Sequence, residues 1–173
     1  MDIYYTIEEK YLQAVDELNY GESPRALKLL NEIVANNPEY ALAHYQLGLM
    51  YYYNIGDYKA AGYHLRLCTE IEPSYPDVYY HYLKLIIFLN MEKQVNGLAK
   101  KALLTPGVDT ADIYNLLGLY AEKNRRWNEA IAYYRKALFE STGKKYSDDI
   151  EQSINRVNAK QTQLKKYNYH LSE

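Results

Sequence analysis

The residues able to do chemistry are few and badly spaced for it. The candidates are four histidines (His44, His64, His81 and His170) and a single cysteine, Cys68, in a chain of 173 residues. No two histidines stand four apart, the spacing that sets two imidazoles on one helix face for zinc, and Cys68 is read as partner to none of them. As a nucleophile Cys68 would need a base beside it, and the sequence points to none. The carboxylate pairs Glu8-Glu9 and Asp148-Asp149 open amphipathic stretches, where the helix dipole accounts for them. There is no phosphate loop, dinucleotide fingerprint or Gly-x-Ser-x-Gly elbow. The expectation is a protein that is not an enzyme, with no catalytic residue, no metal site and no cofactor.

Tyrosine is the unusual residue, with 22 copies. Rings that stack on nucleic-acid bases are interleaved with cations, whereas around Tyr45, Tyr51, Tyr52 and Tyr53 no Lys or Arg appears until Lys59. A formal net charge of −2 also gives no reason to expect a nucleic-acid partner or a charged membrane surface. Residues 1–90 hold twelve acids against six bases, and residues 91–173 hold ten against fourteen. Either these charges lie on solvated faces, or an acidic end and a basic end favour different partner surfaces. The longest apolar run, Leu85 to Leu89, is far too short to span a bilayer. The first residues carry acids where a signal peptide needs an apolar core, and one cysteine suits a reducing compartment. A cytoplasmic location with no membrane partner is expected.

Several columns of residues recur at one period. Ala26, Ala61, Val95 and Ala130 are spaced by 35, 34 and 35 residues, and so are Leu30, Leu65, Ala99 and Tyr134. Ile33, Cys68, Ala102 and Ala137 keep the same intervals, while Ala14, Gly48, Leu83 and Gly118 recur after 34, 35 and 35. Each period holds two amphipathic stretches, so the unit is a pair of antiparallel helices with small residues where backbones approach. Gly48 and Gly118 lie inside helical patterns, where glycine costs about 1 kcal/mol against alanine; close packing is the compensation. Gly21 and Gly56 sit where first helices should end in a left-handed residue. Cys68, in a column with Ala102 and Ala137, reads as a small core residue.

The segments YQLGLMYYYNIGDYKAAGYHLRLCTEIEPSY and YNLLGLYAEKNRRWNEAIAYYRKALFES resemble tetratricopeptide repeats. That family alternates an aromatic, a Leu-Gly pair, a Tyr, an Ala, a second aromatic, a further Ala and a Pro. The likeness extends over about residues 7–140. It implies an all-α, right-handed α-solenoid of about four helix-turn-helix units, at about 7–40, 41–75, 76–110 and 111–143, within a repeat domain of 1–145. In the third unit Leu83 stands for the small Gly and Ala99 for the large residue that usually faces it, which reads as a volume exchange within one packed pair. After Gly143 the period stops. Ser147 then offers an N-cap for a capping helix at 147–168, with a thin stripe of Ile150, Ile154, Val157 and Leu164, and residues 169–173 as a tail.

The resemblance also implies a protein or peptide partner, held in a concave channel lined by first helices. Carried over slot by slot, the groove is apolar and rich in tyrosine: Tyr11, Tyr45, Leu49, Tyr52, Tyr80, Lys84, Ile87, Asn115 and Leu119. Val15, Leu18, Leu42, Tyr53, Asp77 and Phe88 fall at further inward slots of the first three units, and Asp112, Glu122 and Lys123 at those of the fourth. Tyr11, Tyr45, Tyr80 and Asn115 form one file at 34, 35 and 35 residues, whose rings serve either a groove or the packing between helices. The family's carboxylate clamp needs Lys, Asn and Arg at slots that here hold Tyr11, Val15, Gln46, Asp77 and His81, so that chaperone-tail site is absent. An adaptor or scaffold is the expected function. A small chaperone for a dedicated client and a self-associating homodimer are the alternatives.

Overall fold

The computed structural model describes residues 6–170, with side chains through residue 164. Among the described residues there are nine α-helices and no strand, so the expected all-α fold is what is found. The chain divides into two compact units, Met1–Leu89 and Asn90–Glu173. The third expected repeat is split by this division, with Leu83 in the first unit and Ala99 in the second.

In the first unit, α1 (Ile7–Tyr20) and α2 (Ser23–Asn36) form a hairpin, followed by α3 (Ala41–Leu49), α4 (Tyr58–Ile71) and α5 (Asp77–Phe88). Thr6 starts α1 with a reciprocal capping box. Its hydroxyl accepts the Glu9 N–H, and the Glu9 carboxylate accepts the Thr6 N–H at 2.7 Å. Asp57 caps α4 by accepting the Lys59 and Ala60 N–H groups. The core of α1–α3 is made of Ala14, Ala26, Leu30, Ile33, Ala43, Leu47 and Met50, largely the residues of the periodic columns. Gly48 is needed for contact: a Cβ there would come within 2.6 Å of the Leu65 side chain.

Helix α3 does not end where its α-helical pattern ends. It runs on into a π-helical turn, Met50–Ile55, in which the Gly56 N–H reaches back five residues to the Tyr51 carbonyl. Gly56 then takes the left-handed conformation at φ 81°, as its position at a helix end suggested. Gly21 does not, with φ −121°; the Glu17 side chain occupies the space where its Cβ would stand. Asn90 and Arg125 adopt positive φ at the matching periods instead; asparagine tolerates that conformation and arginine disfavours it, and sequence reading foresaw neither.

The second unit contains α6 (Glu92–Leu104), α7 (Thr110–Lys123), α8 (Trp127–Glu140) and α9 (Lys144–His170). A Cβ on Gly118 of α7 would meet the Tyr134 ring of α8 at 2.6 Å. Around that contact lie Ala121, Ala130, Ala137, Ile150 and Val157. Helix α9 begins three residues before Ser147. The Ser147 N–H and hydroxyl both donate to the Gly143 carbonyl, so Ser147 is an interior residue and Asp148-Asp149 is not a first-turn pair.

The residue pattern stops at Gly143, yet the contacts of α9 keep the repeat interval. The Tyr146 hydroxyl donates to Asp112 at 2.6 Å and Arg156 donates to Glu122 at 2.8 and 2.9 Å, each pair 34 residues apart. These contacts lay α9 alongside α7, in the same direction, as the first helix of a further repeat would lie. Ile150 and Val157 are buried under it and Ile154 is half-buried, but Leu164 is 47% exposed, so the apolar stripe is used only in part. Lys165 and Lys166, basic residues of this helix, lie outside the described side chains.

Candidate partner-binding surface

Seven of the nine expected groove residues, Tyr11, Tyr45, Leu49, Tyr52, Tyr80, Lys84 and Ile87, fall on α1, α3, the π-helical turn and α5 of the first unit, at half-buried or buried positions. They do not play one part. Tyr45 is only 7% exposed: its ring meets Tyr75 edge-on at 5.1 Å and lies 6.0 Å from His81. Burial, helped by the nearby Asp77, pushes its phenol up to about 12. Ile87 is 4% exposed. Both are core residues, and the place of Tyr45 in the file reflects packing between helices. Tyr11 is half-buried, its ring 5.5 Å from Tyr40 and its hydroxyl accepting from Gln46 at 3.4 Å.

The π-helical turn brings rings to the surface. It presents Tyr52 and Tyr53 side by side, with ring centroids 4.4 Å apart. Tyr53 is 48% exposed, and its hydroxyl is hydrogen-bonded to His81 Nδ1 at 2.9 Å. Desolvation, then Tyr52 and Tyr80, push the Tyr53 phenol up to about 12. Burial and the Lys84 ammonium lower the His81 pKa, against a smaller opposing pull from Asp77. Lys84 Nζ sits 5.4 Å from the Tyr53 centroid and 5.6 Å from that of Tyr80. Each such cation–π contact is worth about 0.5–1 kcal/mol at a partly exposed site. The aromatic surface continues through Tyr58, 6.0 Å from Tyr52, to Phe88, 5.0 Å from Tyr58 and 53% exposed.

Tyr53 and Phe88 fall at inward slots that the resemblance gives, though outside the nine groove residues expected, and Tyr58 falls at a slot where the family favours an aromatic. A signal for the turn was present. The two small-residue columns stand 12 residues apart in the first, third and fourth periods and 13 apart between Gly48 and Ala61. The extra residue is accommodated by the π-helical turn, which rotates the residues C-terminal to it relative to α3.

In the second unit, Asn115 is half-buried on α7 and interacts with Tyr146, whose hydroxyl also donates to Asp112. Leu119 is exposed. Glu122 is not a surface residue at all. Its carboxylate accepts from Arg156, from Lys160 at 2.7 Å and from Tyr134 at 2.8 Å. The Arg156 hydrogen bond leads the effects that hold its pKa down at about 2, against the cost of burial. Sequence reading placed Glu122 at an inward slot of the groove; the fold pairs it with Arg156 and Lys160 of α9.

The histidines also hold a surprise. His44 Nε2 donates to the Pro38 carbonyl at 2.8 Å, which leaves its Nδ1 to face His64 Nδ1 at 2.9 Å across α3 and α4. Tyr51 stacks on His64 at 5.6 Å. Burial, then His44, lower the His64 pKa to about 4. His64 also precedes Cys68 by one turn of α4, a spacing that the sequence reading passed over. Cys68 is fully buried, and burial with Glu72 behind it pushes its thiol up to about 12, away from the reactive thiolate. Among the described residues no group of three His, Cys, Asp or Glu is arranged to hold a metal ion, and no helix is long and apolar enough to cross a membrane.

Comparison with solved structures gives likenesses that concern the fold alone. MamA (residues 41 to the end) from Desulfovibrio magneticus RS-1 is 18% identical at a TM-score of 0.76, covering 96% of this chain and 91% of that one. PilW, a type IV pilus biogenesis factor, is 16% identical at 0.69 over 88% of this chain and 78% of its own. A thermophilic tetratricopeptide repeat protein of Thermus thermophilus is 21% identical at 0.65, over 86% and 81%. These likenesses put the fold in the α-solenoid class. No curated protein matches the sequence. The profile of the tetratricopeptide repeat, by contrast, matches residues 11–76 and 97–147, more than half of the chain. The chain belongs to the tetratricopeptide repeat family.

Proposed function

We propose that the first unit binds a segment of a partner protein on the aromatic surface formed by α1, α3, the π-helical turn and α5. The family's fold is that of a protein–protein interaction scaffold in general, and this is the surface on which such a role would fall. The observation that carries the reading is the pairing of exposed Tyr53 and Phe88 with half-buried Tyr52, Tyr80 and Lys84. Tyrosines offer large, amphipathic contact area at low cost in conformational entropy. Leu49 and Tyr11 extend the same surface, and Tyr45 and Ile87 support it from below.

The test begins with peptides selected from a random displayed library on the purified protein. Their affinities for wild type and for a Tyr53→Ala, Tyr80→Ala variant are then compared by isothermal titration. If these rings are hot spots the variant binds more weakly by at least about 2 kcal/mol, roughly thirtyfold, with its melting temperature little changed. Equal affinity for both proteins would remove this surface from the function.

A further inference from the structure

We infer that the segment taken up by this surface is acidic, and that Lys84 is the residue that selects it. The inference rests on the binding surface proposed above and adds the chemistry of its partner. Lys84 is the only lysine or arginine on α5, and the π-helical turn has neither. Lys84 is half-buried, its ammonium lies over the rings of Tyr53 and Tyr80, and among the described residues no carboxylate forms an ion pair with it. Asp77, the acid on the same helix, accepts a hydrogen bond from Tyr75 instead. Cation–π contacts orient an ammonium without cancelling its charge, because the rings present a quadrupole and not an anion. A partner carboxylate reaching Lys84 therefore finds a donor already held in place, with the Tyr53 hydroxyl and His81 next to it.

This is a different position from the carboxylate clamp of the family, whose slots hold Tyr11, Val15, Gln46, Asp77 and His81 here. It suits an acidic side chain within a segment, flanked by aliphatic residues that lie on Tyr53, Tyr58 and Phe88. Residues 1–90 carry twelve acids against six bases, which would repel an acidic partner at long range. At physiological salt that field is screened beyond about 8 Å, whereas a partly buried pair at Lys84 is screened much less. Selection is therefore made at contact, and affinity changes little with moderate salt.

The same displayed library separates this inference from the proposal it rests on. Wild type should enrich peptides with one or two Asp or Glu beside aliphatic residues, and Lys84→Gln should bind a selected peptide at least tenfold more weakly. Lys84→Glu, selected afresh, should enrich Lys or Arg at the same place. Enriched peptides that need Tyr53 and Tyr80 but show no preference for acids, or that bind Lys84→Gln as tightly as wild type, would overturn the inference and leave the binding surface standing. Peptides indifferent to Tyr53 and Tyr80 would remove both. Free protein that sediments as a dimer, and as a monomer once Lys84 is replaced, would assign the surface to a second copy and also overturn it.

Discussion

Replacing Glu122 by glutamine should unlatch α9 from α7 and make the second unit less sensitive to acid. The carboxylate is nearly inaccessible and is held by Arg156, Lys160 and Tyr134. A pKa lowered from 4.5 to about 2 corresponds to about 3 kcal/mol of stability when Glu122 is ionised in both states. Because the folded-state value is depressed, that contribution is complete above the unfolded value and disappears as pH falls towards 2; about 2 kcal/mol of it is gone by pH 3. Arg156 and Lys160 are each nearly half exposed and can return to water, so removing the charge should cost about 2–3 kcal/mol, below the range for a fully buried pair. The single tryptophan, Trp127, lies on α8 beside Lys160, so its fluorescence reports unfolding of this unit. Urea titrations of wild type and Glu122→Gln at pH 7 and pH 3 give the four stabilities required. A difference under about 0.5 kcal/mol at pH 7, or one that does not shrink at pH 3, would refute the reasoning.

Two further outcomes are expected from the first unit and the repeat packing. Gly118→Ala should destabilise by about 1–3 kcal/mol by urea titration despite its better helix propensity, because the new Cβ must displace the Tyr134 ring; an equally stable variant would show that the ring moves freely. His64 should stay neutral to well below pH 6.5 in an NMR titration, with stability falling as pH drops from 6.5 towards 4, since the unfolded chain takes up the proton first. A His64 ring that titrates near 6.5 would contradict the buried pair with His44.

The helices were readable because a repeat writes the same constraint several times. Ala26, Ala61 and Ala130 are buried, and Gly48 and Gly118 face large side chains, as their columns required. The alignment of α9 with α7 escaped because the register of contacts survives while the residue character changes. Ser153 stands 35 residues after Gly118, yet acids and amides surround it, so an apolar pattern could not reveal the alignment with α7. The surface was harder to read, since a tyrosine column looks the same whether its rings pack fully inward, like Tyr45, or only in part, like Tyr11 and Tyr80. The His44–His64 pair and the Glu122 cluster join residues 12 to 38 positions apart on different helices. Spacing rules confined to one helix cannot see such pairs.

The π-helical turn gives this chain a way to change its surface that point substitution does not provide. Its one additional residue is absorbed inside a helix, with Gly48 and Leu65 still in contact before and after it. Losing a residue between Met50 and Ile55 would restore a regular helix and swing Tyr53 by about 100° around the axis, away from His81 and Lys84. Small insertions and deletions are usually accommodated in loops. Here a single-codon length change would act on a helix instead, and lineages differing by one codon could share a core while displaying different rings to their partners.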